Sequence, residues 1–359
     1  MRTTELAIIG GGPAGLSAAI SAASLGAKVT LINRDDNLGG QLMKQTHMFF
    51  GSQKQYASIR GIDIAGILIK ELEKYKDNIE IMNDATVISM YEDGVFAVEQ
   101  NEKYIKIKPQ SIIVATGASE KFLAFPNNDL PGIYGAGAVQ TLMNVHGVAP
   151  GKSVVMIGAG NIGLIVSYQL MQAGIHVKAI VDASPNIGGY LVHASKIRRM
   201  GIPIYTSHSV KYAHGTNHLE KVTLCRLDEK WQQVPGSEFD IETDVLCISV
   251  GLSPLTELLW QQGCEMKFVP ELGGHVPVRN ENLETSIKGV YIAGDVAGVE
   301  EASSAMVEGR LAGLNAAEAL GHISPDLEDK RKDCLEQLTS LRSGHVGEKI
   351  LNGLSKVTV

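Results

Sequence analysis

Three observations in this 359-residue sequence predict an α/β fold with two parallel-sheet domains. The first is a repeat. An apolar run, a glycine turn, a small-residue stretch and a second β-branched run occur between residues 6 and 33, and again between residues 154 and 182. That order is a β-α-β unit. The second is spacing: the first turn glycines, Gly10 and Gly158, lie 148 residues apart, which means two domains rather than one larger one. The third is size and composition. At about 150 residues per domain the length suggests two domains. With 44% hydrophobic and 20% charged residues, general disorder is excluded. The 39 glycines are about 11% of the chain, against an average near 7%, and show no collagen period. They ask for tight turns and close backbone approaches.

The elements follow in order. Leu6–Gly12 (LAIIGGG) is a strand and turn, followed by a helix within PAGLSAAISAASLGAKVTLIN and a second strand. Glu80–Tyr91 and Val95–Lys108 alternate apolar and polar residues, as half-buried antiparallel strands do. Ser111–Gly117 is a buried strand ending in glycine. Val154–Gly160 (VVMIGAG) opens the second unit, and Asp244–Gly251 is the counterpart of Ser111–Gly117. Val290–Asp295 (VYIAGD) closes on Gly-Asp, and Ala302–Leu320 reads as an Ala-rich helix. Pro325–Arg342 places Leu327, Cys334, Leu335, Leu338 and Leu341 at helical spacing. This is a helix packed on its own domain, or one that docks a partner. The two β-α-β units also end alike, at Asn37–Leu42 and Asn186–Leu191. Their trailing glycines, Gly39 and Gly188, are 149 residues apart, so the second copy has gained one residue before the end of its second strand.

Gly10, Gly12 and Gly15 fit G-x-G-x-x-G between strand and helix, with Pro13 and Ala14 inside the motif. The first glycine allows the turn, the second admits a pyrophosphate, and the third lets helix and strand pack closely. The helix N-terminus offers N–H groups and a positive dipole end to the phosphates. The acidic residue expected about 20 residues on is replaced by Asn33, followed by Arg34. Asn33 can still hydrogen-bond a ribose hydroxyl. Gly158, Gly160 and Gly163 form the second match, with Asn161 and Ile162 inside it. Asp182 closes that copy's second strand. A carboxylate there accepts bonds from a ribose and repels a 2′-phosphate, which favours NAD over NADP. The gained residue leaves open whether Val181 or Asp182 holds the key place, and Lys178 and Lys196 lie near enough in sequence to reach a phosphate. A second site that binds an adenine nucleotide with no redox role is the alternative.

Charge and cysteine usage remove other classes. Net charge is −7, so no basic footprint for nucleic acid exists. No Lys/Arg cluster suggests an anionic membrane surface. The start does not read as a secretory signal, because the apolar run is broken by Gly10–Pro13. No 18 consecutive apolar residues occur, so no membrane span is expected. Cys225, Cys247, Cys264 and Cys334 are scattered without a CxxC pair, which argues against metal clusters and a redox dithiol. They read as reduced thiols of a cytoplasmic protein.

GGGPAG, Ala115-Thr116-Gly117, GAGNIG and YIAGD stand in the order that resembles the two-dinucleotide-binding flavoprotein superfamily, which includes the thioredoxin and glutathione reductases. The resemblance covers residues 1 to about 320. It implies two Rossmann-like three-layer ββα dinucleotide-binding domains, the NAD(P) domain inserted in the FAD domain. The FAD domain would comprise residues 1–118 and 255–322, the NAD(P) domain 119–254, and a C-terminal helical tail 323–359. It further implies FAD contacts from Gly10, Gly12, Pro13, Ala14, Gly15, Asn33, Arg34, Gly40, Gln41, Val87, Ala115, Thr116, Gly117, Gly294, Asp295 and Ala302. Asp295 would meet the ribitol or pyrophosphate region. The helix starting near Glu301-Ala302 would aim its N-terminus at the flavin pyrimidine. NAD would meet Gly158, Gly160, Asn161, Ile162, Gly163, Asp182 and Gly251.

The chain departs from the disulfide reductases, because no cysteine pair follows Gly39-Gly40 or stands at Gly135-Ala136-Gly137-Ala138. Thiol exchange needs an attacking thiolate beside the flavin. A narrower resemblance, through Gly160–Lys196, is to the FAD subunits of heteromeric sarcosine, proline, opine and hydrogen cyanide-forming dehydrogenases, and of some glycerol-3-phosphate dehydrogenases. The Cys-rich iron–sulfur segment of many such subunits is absent from this sequence. The expectation is hydride transfer between nicotinamide C4 and flavin N5, with electrons passing to or from an acceptor or a partner dehydrogenase subunit in an oligomer. Gln41, Lys44 and His47 are candidates near the flavin ring, His47 as an acid or base, against a plainer reading as pyrophosphate and surface contacts. His193 reads as a satisfied helix residue, Met48–Phe50 as core or a flavin-shielding wall, and Glu300-Glu301 as a capping pair.

Overall fold

The computed structural model describes residues 1–359, apart from the side chains of residues 345 and 346. The chain forms two compact units. One comprises Met1–Ser119 and Leu252–Val359, the other Glu120–Gly251. Residues 323–359 therefore belong to the first unit.

The first unit opens with β1 (Arg2–Ile9), α1 (Pro13–Ser24), β2 (Val29–Ile32), α2 (Gly61–Glu73), β3 (Ile79–Met82), β4 (Ala85–Met90), β5 (Phe96–Gln100) and β6 (Lys103–Val114), and leaves through β7 (Ala118–Glu120). The second unit holds β8 (Ile133–Gly135), α3 (Ala136–Asn144), β9 (Ser153–Ile157), α4 (Asn161–Gln172), β10 (His176–Asp182), α5 (Leu191–Arg199), β11 (Ile204–Thr206), β12 (His208–His214), β13 (Lys221–Arg226), β14 (Phe239–Glu242) and β15 (Val245–Ile248). The first unit resumes with β16 (Leu252–Pro254), α6 (Glu257–Gln261), β17 (Met266–Val269), β18 (Gly274–Pro277), β19 (Val290–Ile292), α7 (Ala302–Ala319), α8 (Leu327–Leu341) and α9 (Gly344–Leu354).

In the first unit β3-β2-β1-β6 are parallel, and β19 joins the far end of β6. The first half of β6 instead pairs antiparallel with β5, which pairs with β4. One 12-residue strand thus serves both a parallel sheet and an antiparallel meander. Side chains alternate across β1, as the two-residue pleat requires. Leu6 and Ile8 enter a core with α1, α2, α7 and α8, while Ala7 and Ile9 enter a core with Phe96, Val98 and Ile107 of the meander. The result is helix, parallel sheet and meander in three layers. The second unit repeats the plan. Its parallel sheet β11-β10-β9-β15-β8 faces α3, α4 and α5 through Val154 and Met156, and β12-β13-β14 through Val155 and Ile157.

Three sequence expectations are refined. Glu80–Tyr91 is two strands, because Asp84 takes a positive φ between β3 and β4; only β4 is antiparallel, as expected, while β3 pairs parallel with β2. Val95–Lys108 is a hairpin turning at Asn101-Glu102, both also at positive φ. Ser111–Val114 is the end of β6, not a separate strand, and Ala115–Gly117 follow it outside the strand. Leu327, Cys334 and Leu338 of α8 are buried in the first unit's helical core, while Leu335 is exposed. The helix therefore packs on its own unit.

Candidate functional site

The first glycine loop divides its three glycines by role. Gly10 sits at φ +116° and donates to the Ile32 carbonyl at 2.8 Å. A Cβ there would lie 2.3 Å from the Ala115 oxygen, and one on Gly15 only 1.8 Å from the Gly10 oxygen. No L side chain fits at either position. Gly12, the N-cap of α1, has nothing within 4 Å of its would-be Cβ. Its glycine character is explained by open space that a ligand's phosphates would fill. Pro13 follows at the first helical turn, which contains no acidic residue to repel them. Gly40 closes the other side, since its Cβ would lie 2.8 Å from Gly12 Cα.

The second loop is built the same way. Gly158 sits at φ +110° and donates to Val181 O at 2.6 Å. Added Cβ atoms at Gly158 and Gly163 would meet Ser249 O at 2.0 Å and Gly158 O at 2.1 Å. Gly160 is open. α4 begins at Asn161 and Ile162 with no acid in its first turn, and Asn161 Oδ1 accepts from Tyr190 N at 2.8 Å.

The residue gained in the second copy is a β-bulge. Pairing between β10 and β9 shifts register between Val177 and Ala179, around Lys178. Ile9 pairs with Ile32 in one unit and Ile157 with Val181 in the other, so Asp182, not Val181, is the counterpart of Asn33. Both side chains already serve their own loops. Asn33 is buried and donates to the Asp35 and Asn37 carbonyls at 2.8 and 3.0 Å. Asp182 accepts from Ala159 N at 2.6 Å and Ser184 N at 2.8 Å, one bond per carboxylate oxygen. A carboxylate oxygen has a further lone pair for a ribose hydroxyl. Arg34 is exposed beside Asp35.

Asp295 lies in a short 3₁₀ turn after β19, and Glu300 N donates to it at 3.3 Å. Burial, together with the carboxylates of Glu308, Glu300 and Glu301, pushes its carboxyl up to about 7 against that one bond. Gly294, at φ +76°, packs against Ala14, so the turn abuts the first glycine loop. Ala302 begins α7 and Glu301 is its N-cap residue, without a side-chain capping bond. Glu300 is ion-paired with Arg342. The expected capping pair is thus corrected, because the Arg342 guanidinium takes the carboxylate instead. α7 lies close on α1 because Gly309 and Gly313 leave no side chain in the way. Their Cβ atoms would meet the Ala14 and Ala18 oxygens at 2.1 and 2.4 Å. The i, i+4 glycine spacing carried that signal in the sequence.

Of the other expected residues, Ala115 N bonds Ile9 O, Thr116 Oγ1 bonds Leu255 O, and Gly117 is at positive φ, all in the first unit. Val87 is half-buried beside a register shift in β4. Gly251 ends the second unit at φ +115°. Gln41 is exposed, and Lys44 is half-buried at the end of the Gly40–Lys44 3₁₀ turn. His47 stacks on Phe49 with ring centroids 5.8 Å apart. Phe49 is core, whereas Met48 and Phe50 are about half exposed. His193 is buried in α5, and burial with the Lys196 charge lowers its pKa. All four cysteines are buried, and burial raises each thiol's pKa. Glu120 caps α3 by accepting from Gly137 N at 2.6 Å, and a Cβ on Gly135 would lie 2.3 Å from its carboxylate. Sequence reading offered no sign of Glu120, Arg279, Glu308 or Arg342, whose partners are remote in the chain. Among the described residues no helix is long and apolar enough to cross a membrane, and no cluster of metal-ligating side chains occurs.

Residues 4–309 match the model of the pyridine nucleotide-disulphide oxidoreductase family. The A subunit of opine oxidase from Agrobacterium tumefaciens is 27% identical, over 95% of this chain and 69% of that protein. The HcnB subunit of hydrogen cyanide synthase from Pseudomonas protegens is 26% identical, over 92% and 74%. The alpha subunit of sarcosine oxidase from Rhizobium meliloti is 26% identical over 85% of this chain, which spans only 29% of that protein. Among solved structures, L-proline dehydrogenase from P. horikoshii gives a TM-score of 0.71 at 24% identity, over 92% of this chain and 59% of that one. Thioredoxin reductase from T. acidophilum gives 0.72 at 24% identity, over 89% and 99%. Two open glycine cradles on two parallel sheets, with the family match across both, make this chain a flavoprotein member of the pyridine nucleotide-disulphide oxidoreductase family, related to the subunits of heteromeric oxidases.

Proposed function

We propose that this protein is an NAD(H)-linked, FAD-dependent oxidoreductase that does not reduce disulfides and that exchanges electrons with an acceptor or a partner dehydrogenase subunit. The observation that carries the reading is the paired cradle. Gly12 and Gly160 are the only glycines of their motifs whose Cβ would meet nothing. When bound, the flavin and nicotinamide would supply the redox chemistry, a two-electron exchange. The chain's own residues bind and orient. The first turns of α1 and α4 present N–H groups to phosphates. The Asp295 carboxyl, with its pKa near neutrality, offers a hydrogen to a phosphate or ribitol oxygen when protonated and accepts one from a ribitol hydroxyl when ionised. Asp182 closes the second loop, and its remaining lone pairs suit the free hydroxyls of an NAD ribose better than a like-charged 2′-phosphate.

Two observations support the exclusion of disulfide exchange. Every thiol is buried with a raised pKa, the opposite of an activated thiolate. Gly135 and Gly137 are pressed against Glu120, so cysteine side chains there would need that carboxylate to move.

The test is anaerobic mixing of the FAD-loaded protein with NADH. Rapid bleaching of the visible flavin band supports the reading. A second reading is favoured by the relatives named as subunits. In it the chain is the FAD-carrying subunit of a heteromeric amino-acid or glycerol-3-phosphate dehydrogenase, its second cradle holding only an adenine nucleotide. It predicts no bleaching by NADH, and flavin reduction only with the partner and its substrate.

A further inference from the structure

The C-terminal segment ends its α8 at the flavin-side turn, and it does so through charge. Arg342 is the C-cap residue of α8, with its side chain 11% exposed. Its Nε donates to Glu300 Oε1 and Oε2 at 3.1 and 3.0 Å, and its Nη2 to Glu300 Oε1 at 2.7 Å and Glu308 Oε1 at 2.6 Å. Glu308 carries the contact onward, its Oε2 accepting from Gly294 N at 3.0 Å. Arg279, also buried, donates to Glu308 Oε1 at 3.4 Å and to Ala297 O at 3.2 Å. The cluster therefore grips the 294–301 loop at Gly294, Ala297 and Glu300, on both sides of Asp295. The last residues hold the same arginine by its backbone. Arg279 N donates to Val357 O at 2.9 Å, and Val359 N to Arg279 O at 3.0 Å.

Two buried carboxylates and two guanidiniums balance. Removing one cation leaves a buried carboxylate without its partner, next to a turn whose Gly294 packs against Ala14 of the first glycine loop. The rest of α8 needs no such arrangement to stay in place. Leu327, Cys334 and Leu338 pack it on the core, and Arg331 ties it to Glu318 and Asn315 of α7.

We propose that Arg342 is a positioning residue of the flavin site, through which the C-terminal segment sets the 294–301 turn for FAD binding. The inference rests on the reading that the first unit binds FAD. The experiment is titration of FAD into the flavin-stripped full chain, followed by protein fluorescence, with melting temperature recorded alongside. Arg342→Met is expected to raise the FAD dissociation constant at least about tenfold. Arg342→Lys, which keeps the charge without the fork, is expected to fall between it and wild type. Adding Glu300→Gln to Arg342→Met restores the charge balance and is expected to recover most of the lost affinity. Arg331→Met removes the helix's other anchoring arginine. It is expected to lower the melting temperature while leaving FAD affinity within about twofold, because Arg331 does not touch the turn.

Unchanged affinity in Arg342→Met, or equal losses in Arg342→Met and Arg331→Met, would overturn the proposal. If Arg342→Met does not fold, Arg342→Lys decides: wild-type affinity in that variant overturns it. A wild type that takes up no FAD overturns the flavin reading and this inference together. A wild type that binds FAD beside an unaffected Arg342→Met overturns this inference alone.

Discussion

At the residue scale, each motif glycine answers a different physical demand, and substitutions should separate them. Gly12→Val places a side chain in the open cradle without touching the fold. It should cut FAD content at least about tenfold while the protein stays folded. Gly160→Val should leave FAD content unchanged; flavin assay of both variants checks this, and equal loss in the two contradicts the two-site account. Asp295 makes a prediction of opposite character. Its carboxyl titrates near 7 in the folded protein, against 3.8 for an ordinary aspartate. The folded state thus holds this proton more tightly than the unfolded chain. The stability it contributes is complete below pH 4 and is lost as pH rises to about 7. In flavin-free protein, Asp295→Asn should therefore raise the melting temperature more at pH 8 than at pH 5, by an amount on the order of 3 kcal/mol in stability. The same variant should bind FAD more weakly, a trade of stability against a binding group. A melting difference that is equal at both pH values contradicts the buried-carboxyl account. The glycines were legible because each motif position has one steric cause. The engagement of Asn33 and Asp182 by their own loops was not, because sequence shows which residue ends a strand but not which backbone carbonyls or N–H groups turn back to meet it.

At the scale of elements, the packing of α7 on α1 positions the Gly294–Val296 turn. Gly309→Ala improves helix propensity by about 1 kcal/mol, yet its Cβ would press on a backbone oxygen that cannot rotate away. Overpacking costs about 1–3 kcal/mol, so the clash should win. The variant should melt lower and lose FAD, because Ala14 is part of the glycine loop. A higher melting temperature with full flavin content contradicts this. The parallel strands β1, β2, β9, β10, β15 and β19, the parallel end of β6 and the two loop helices were legible from apolar runs bounded by glycine, whereas β3, β8 and β11 were not. The breaks at Asp84 and Asn101-Glu102 were not, since left-handed turns at aspartate, asparagine and glutamate leave the apolar–polar alternation running through them. The β12-β13-β14 layer was implied by the resemblance, but its strands were not read from the residues, and α9 lies beyond the last periodic segment that the sequence offered.

For the whole molecule, the repeat foretold two sheets of one plan, and the bulge at Lys178 accounts for its one-residue discrepancy. What the repeat does not encode is which nucleotide each copy holds. Asp182 predicts that NADH reduces the flavin at least about tenfold faster than NADPH in second-order rate. Asp182→Ala should narrow the gap, though it also removes two bonds that shape the loop and so should slow both nucleotides. A wild type that prefers NADPH contradicts the placement of Asp182 at the ribose. The most direct test of the central claim, that a nucleotide in the second cradle exchanges electrons with flavin in the first, is anaerobic stopped-flow of NADH against wild type and Gly160→Val, both loaded with FAD. The account predicts fast bleaching in wild type and its loss in a variant that remains fully yellow before mixing. Wild-type flavin that stays oxidised under NADH, or bleaching that survives Gly160→Val unchanged, would contradict it.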